Sequence, residues 1–218
     1  MHKKLITACL AIAAFAAFVV APAASASPVL THNPAAPTAV PVPSDIHGTN
    51  LIEGKRVNAV FTGGFNVTCN EATISGTLTE NSGTSIKGEV PVGGATYTGE
   101  GGTDCTSALG AVKPTVNSKL CLASIKGTDT LTIDGCGAAI TFTLAVTAGP
   151  TCKYEAATIV ATFTTGMPAD GIIHISEQPA KGEAGNSFLC PTEGKLDQTI
   201  QPFYKTTPSG ALDTTWIS

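Results

Sequence analysis

The sequence predicts an all-β domain, most simply an antiparallel two-sheet sandwich of Ig-like or Greek-key type, with a barrel as the alternative. Three observations carry this expectation. In Gly135 to Tyr154, Ile140, Phe142, Leu144 and Val146 alternate with Thr141, Thr143, Ala145 and Thr147, the period of a half-buried strand. Downstream of residue 48, about a dozen similar short runs follow one another, separated by Gly, Pro and Asn turns. Charged residues make up only 13% of the chain while Thr and Gly are abundant, and no long window shows a helical period.

The 218 residues suit one domain. The first segment reads as a secretory signal: Lys3 and Lys4 precede the apolar run Leu5 to Val20, and Ala24-Ser25-Ala26 offers small residues for cleavage. The expected mature chain begins at Ser27. A retained anchor is the competing reading, but Ala-rich segments insert weakly. Ile6-Thr7-Ala8-Cys9 has the look of a lipoprotein box, yet it precedes the apolar run, so Cys9 leaves with the signal. Removing Lys3 and Lys4 leaves 10 basic against 16 acidic residues, a net −6, and Arg56 is the sole arginine. Nucleic acid and anionic membranes are therefore poor partners.

Residues 27–47 carry five prolines and read as an extended, poorly ordered spacer before the domain at 48–218. Strands are then expected at Val57 to Phe61 and Phe65 to Cys69, with a bend at Gly63-Gly64. Ile74 to Leu78 and Ile86 to Val90 read as a hairpin about Asn81-Ser82-Gly83, and a short strand surrounds Tyr97 between glycine runs. Cys105 to Asn117 shows no clear period and reads as a loop. Leu120 to Ile125, Thr130 to Ile133, Ile140 to Val146, Ala156 to Thr165 and Ile172 to Ser176 follow. Lys195 to Thr207 and Ala211 to Ile217 close the chain. Thr68 to Ile74 echoes Thr151 to Ile159, which fits either an internal duplication or the shared composition of Thr-rich strands.

Without Cys9, six cysteines remain: Cys69, Cys105, Cys121, Cys136, Cys152 and Cys190. An even number in an exported chain argues for three disulfides. Of the pairings open to six cysteines, meandering strands favour the sequential one: Cys69–Cys105, Cys121–Cys136 and Cys152–Cys190. Each such loop would constrain the unfolded chain by about 3–4 kcal/mol. A zinc site is disfavoured, because there is no C-x-x-C and no histidine beside a cysteine.

The stretches VTCNEATISGTLT from Val67, TCKYEAATIVATF from Thr151 and CPTEGKLDQTIQPFYKTTPSGALDTTWIS from Cys190 resemble the small exported, disulfide-stapled β proteins of high-GC Gram-positive (actinobacterial) type. The resemblance covers roughly residues 41 to 218, and its most specific part is the C-terminal hairpin with Trp216. Gln198 departs from it, standing where a small residue is expected. What it implies is an exported, all-β chain. The group has no known activity, so no functional residue carries over.

Chemistry is sparse. His174 in IIHIS, with Asp170 and Ser176, could suggest a hydrolase triad, but no G-x-S-x-G elbow is present and a solvent-facing strand histidine explains it. Glu100, Asp104, Asp129 and Asp134 read as turn acids. Tyr97, Tyr154, Tyr204 and Trp216 are too few for a carbohydrate platform and read as packing residues. No catalytic, cofactor or metal site is expected. The leading expectation is a secreted, monomeric, non-enzymatic module acting through contacts with a protein. Two alternatives stand beside it. One is a carrier of a small apolar molecule, with a cleft at the glycine-rich segment 93–102. The other is a protease inhibitor using Gly149 to Tyr154 or Cys190 to Gly194.

Overall fold

Alternation of apolar and Thr-rich positions makes strands throughout the described part of the chain, and the one helical element is a 3-10 turn at Glu100–Gly102. The computed structural model describes residues 30–32, 38–52, 55–125, 128–163, 172–205 and 212–217. Residues 1–26, expected to be the signal segment and to include Cys9, lie outside them, as does Asp170. The chain begins with β1 (Leu30–His32), β2 (Thr38–Ala39), β3 (Ser44–Thr49), β4 (Leu51–Ile52) and β5 (Lys55–Arg56). Next come β6 (Ala59–Thr62), β7 (Val67–Cys69), β8 (Glu71–Asn81), β9 (Ser85–Val90) and β10 (Ala95–Thr98). Then follow β11 (Cys105–Ser107), β12 (Gly110–Val116), β13 (Leu120–Ile125), β14 (Thr130–Asp134) and β15 (Ile140–Val146). The last are β16 (Thr151–Ala156), β17 (Ile159–Phe163), β18 (Ile173–Gly182), β19 (Glu193–Lys205) and β20 (Leu212–Ile217).

All pairings among the described residues are antiparallel. β4 pairs β5 separately, β1, β2, β20 and β10 attach as extra strands, and the rest close in two circuits. The first runs β3, β8, β9, β13, β14 and β17, then returns through the first half of β18 and the second half of β19 to β3. The second runs β6, β7, β11, β12, β15 and β16, then through the remaining halves of β18 and β19 back to β6. The long β18–β19 hairpin is thus shared. It changes circuit at a bulge between Ile175 and Gln178. There Glu177 has a φ of 45° and donates its N–H to Asp197 Oδ1 at 2.8 Å. The result is all-β, antiparallel and sandwich-like, with one apolar core running through both circuits. Among the described residues, closure gives every strand of the two circuits a partner on both sides, while β2, β4, β5 and β10 each pair on one side.

Inner faces follow the period of two. Leu78, Ile86, Leu131, Phe163, Ile175 and Ile200 are buried in the first circuit, and Phe61, Val67, Val112, Leu144, Tyr154 and Ala156 in the second. Each such side chain contributes about 1.5–3 kcal/mol if large and fully buried. Phe61, Phe142 and Tyr154 form an aromatic knot in the second circuit, with ring centroids 4.8 to 5.7 Å apart.

The three disulfides are Cys69–Cys105, Cys121–Cys136 and Cys152–Cys190, the sequential set. Two of them sit where the second circuit is weakest. The β7–β11 ladder has one registered pair, Thr106↔Thr68, beside Cys69–Cys105. The β16–β18 ladder has two, next to Cys152–Cys190. Covalent closure therefore supplements short ladders. Three intramolecular disulfides also indicate an oxidising compartment.

Several expectations need correction. The described residues within 27–47 are not merely a spacer: β1 and β2 pair with each other, β1 also pairs with β20, and β3, which begins there, is a full member of the first circuit. Leu30 and Val40 are buried because they meet the end of that circuit. Cys105 to Asn117 is not a loop but β11 and β12. Pro114 is tolerated there because β11 pairs β12 only as far as Val112, leaving no ladder bond on that side for the missing N–H. Thr151 to Ala156 is a strand of its own, and the strand starting at Ile173 continues past Ser176 to Gly182. The echo is structural as well as compositional. Each copy takes a cysteine-bearing strand of the second circuit (β7, β16) into a strand of the first (β8, β17), and the disulfides span 36 and 38 residues.

Candidate functional site

Four consecutive strands of the first circuit place a small residue on the inner face: Gly48 on β3, Gly76 on β8, Gly88 on β9 and Ser124 on β13. The registers Gly48↔Ile74, Leu78↔Gly88, Gly88↔Leu122 and Ser124↔Ile86 offset each from the last by about two positions along the strands. In a closed circuit with staggered strands, such a diagonal runs around the wall as a layer. Missing side chains in one layer leave a hollow, and a cavity of ≈ 120 Å³ lies there. Leu78, Ile86, Leu122, Leu131, Phe163 and Ile200 supply its apolar walls, and Leu30 of β1 closes one end. These glycines are constrained by close approach. A Cβ on Gly48 would stand 2.6 Å from Ile200 Cγ2, and one on Gly76 2.5 Å from the Glu89 carbonyl oxygen.

Ser124 is the buried polar side chain in this wall. It is 1% exposed, and its Oγ has no hydrogen-bond partner among the described residues. Asn50 shows the contrasting case of a buried polar side chain that is satisfied. Fully buried Asn50 donates through Nδ2 to the carbonyls of Val57 and Asn70, at 2.8 and 2.7 Å. Its Oδ1 accepts from Ala72 N–H at 3.0 Å. An unpaired buried hydroxyl costs about 1–3 kcal/mol, and 120 Å³ of unfilled volume about 3 kcal/mol more. Both costs are relieved by a bound molecule that fills the hollow and meets the hydroxyl.

A second cavity of ≈ 90 Å³ lies where the two circuits meet, between Ile133, Ile159 and Ile175 on one side and Phe61, Val67 and Phe142 on the other. Tyr97 donates its hydroxyl to Gln198 Oε1 at 3.0 Å, while Gln198 Nε2 has no partner among the described residues. Burial pushes the Tyr97 pKa up to about 12. Burial likewise pushes Tyr154 up to about 12, and its hydroxyl also lacks a partner among the described residues. Gln198, singled out as out of place in its strand, is thus a wall of this chamber. A broad, open groove of ≈ 790 Å³ crosses the shared hairpin, where Lys195 Nζ stands 3.1 Å from Glu177 Oε2.

The other candidates disperse. His174 Nδ1 lies 3.4 Å from Thr199 Oγ1, and Ser176 is exposed two residues along the same strand. Asp134 Oδ1 accepts from the N–H groups of Cys136 and Gly137, at 2.7 and 3.3 Å, as a turn acid does. Among the described residues no group of three or more His, Cys, Asp or Glu is placed to hold a metal. The glycine-rich segment 93–102 supplies β10, and through Tyr97 a wall of the second cavity. Of the two inhibitor-loop candidates, Gly149 to Tyr154 lies mostly in β16, which pairs β15 and β18. Cys190 to Gly194 leads into β19, with Cys190 buried. Gly149, Thr151, Thr192 and Glu193 are exposed in these stretches. Phe188 stands out further, 94% exposed, in a turn closed by Cys190 N–H donating to the Ser187 carbonyl at 2.9 Å. The backbones of Tyr204 and Trp216 lie in β19 and β20.

Sequence reasoning missed Ser124, Gly48, Gly76 and Gly88. The available signal was a small residue on the apolar phase of four strands, but only the pairing registers bring them together. No protein-family model, no curated protein and no solved structure matches the chain.

Proposed function

We propose that this chain is an exported, non-enzymatic carrier of a small apolar molecule, held inside the first strand circuit. The observation that carries the reading is the apolar cavity of ≈ 120 Å³ with the unpartnered Ser124 hydroxyl in its wall. Export is supported by the leader with its Ala24-Ser25-Ala26 site and by the disulfides. The test is native mass spectrometry of the protein secreted by its own host. The expected result is a chain starting at Ser27, lighter by six hydrogens, carrying a small added mass that leaves on denaturation. A mature chain recovered gently with no added mass contradicts it.

A second reading, a module working through contact with a partner protein, is favoured by Phe188. This ring stands in solvent on a segment that is held firmly. Cys152–Cys190 ties one side, and Asn186 both accepts from Lys153 N–H at 2.9 Å and donates to its carbonyl at 2.7 Å. Rigid exposed aromatics make good interface anchors. A photo-crosslinking residue at 188 in the native host should give one discrete protein adduct, absent when the probe is at exposed Val92. Identical patterns from both positions contradict it.

A further inference from the structure

We infer that the first-circuit cavity takes an uncharged molecule no larger than a six-membered ring, bearing one hydroxyl or carbonyl, and that Ser124 is the residue that reads that group. This rests on the carrier reading and makes it specific.

Size comes first. An apolar cavity of about 150 Å³ holds benzene, and this one is ≈ 120 Å³. Two of the four small residues cannot be enlarged to fill the space, since a Cβ on Gly48 or Gly76 would collide with its neighbours at 2.6 and 2.5 Å. The surrounding strands therefore hold that part of the wall back from the hollow.

Charge comes next. Of the buried polar side chains among the described residues (Thr31, Asn50, Ser124, Gln198 and Gln201), Ser124 alone lines this cavity. The titratable residues along the wall, His47 and Glu89, are engaged by Ser75 Oγ at 3.1 Å and Lys119 Nζ at 2.7 Å. A charged ligand would therefore be desolvated without a free opposite charge, which is strongly unfavourable. A purely apolar ligand would leave the Ser124 hydroxyl unpaired. A serine hydroxyl both donates and accepts, so a single ligand hydroxyl or carbonyl satisfies it. The rest of the ligand faces Leu122, Leu131, Phe163 and Ile200 and must be apolar.

The test is calorimetric titration of phenol, cyclohexanone and benzene into the secreted protein, stripped of any bound compound by solvent extraction, and into Ser124→Ala. Phenol and cyclohexanone are expected to bind about tenfold more tightly than benzene. In Ser124→Ala that preference should collapse to within about twofold, with benzene binding undiminished. Nuclear Overhauser contacts from phenol to Leu122 and Phe163 in the unmutated protein should place the ligand in the cavity. Equal binding of phenol and benzene, a preference that survives Ser124→Ala, or contacts elsewhere overturns the inference. If none of the probes binds while a host compound co-purifies, this inference falls and the carrier reading stands. If none binds and nothing co-purifies, both fall.

Discussion

Asn81 grips Leu30 across 51 positions of sequence as a neighbouring strand would. Its Oδ1 accepts from Leu30 N–H at 2.8 Å, and its Nδ2 donates to the Leu30 carbonyl at 2.9 Å and to the Val40 carbonyl at 2.8 Å. Val40 N–H completes the clasp by donating to the Leu30 carbonyl at 2.8 Å. One side chain at the end of β8 therefore fastens the N-terminal strap over the mouth of the first circuit. The other walls of the cavity are continuous ladders, so this mouth is the natural way in.

Asn81→Ala should cost roughly 2–3 kcal/mol, the sum of three modest hydrogen bonds and their unpaired backbone partners. Its first effect is local. Amide exchange at Leu30 and Val40 should accelerate while protection in β14 and β17 persists, and ligand exchange should quicken. Unchanged protection at Val40 would show that the strap is held by other means.

The disulfides should act unequally on the two circuits. Replacing Cys152 and Cys190 by serine removes a closure spanning 38 residues. The expected loss is about 2–5 kcal/mol. Because the β16–β18 ladder is so short, exchange should rise first in β16 and the second half of β18. Hydrogen exchange with mass readout decides this, and a uniform rise over both circuits would count against the staple argument.

Alkaline pH should weaken the fold through its tyrosines. Burial raises Tyr97 and Tyr154 from the ordinary 10.0 to about 12. Both are neutral in the folded chain at pH 10, where the unfolded chain begins to ionise. Unfolding therefore releases protons above pH 10, and stability falls from there until the folded values near 12 are passed. Spectrophotometric titration of the folded protein should show these phenols ionising well after a free tyrosine does. Ordinary titration of both, with the fold intact, would refute the burial argument.

How much of this was legible from sequence depended on whether the signal was local. β15 was plain, because Ile140 to Val146 alternates strictly and nothing interrupts it. The disulfide pairing was accessible, because consecutive strands of a meander keep sequential cysteines close. β12 was hidden by Pro114, a residue that normally argues against a strand. β1 was hidden because Leu30 sits among prolines, and its partners β20 and Asn81 lie far along the sequence. The cavity was hardest. Gly48, Gly76 and Gly88 look like weak points in separate strands, and Ser124 in LCLASI looks like an outward residue. Their meaning exists only in the registers that align them around one wall.

Denaturant unfolding of ligand-free Ser124→Val against the unmutated protein tests the cavity most directly. Valine suits a strand, removes the unpaired hydroxyl and pushes a methyl group into the hollow. A site kept for ligand at the expense of packing should become more stable by about 1–2 kcal/mol. The same variant should lose its ligand. A variant that is destabilised and still carries the ligand would mean that Ser124 is an ordinary packed residue and that the molecule is held elsewhere.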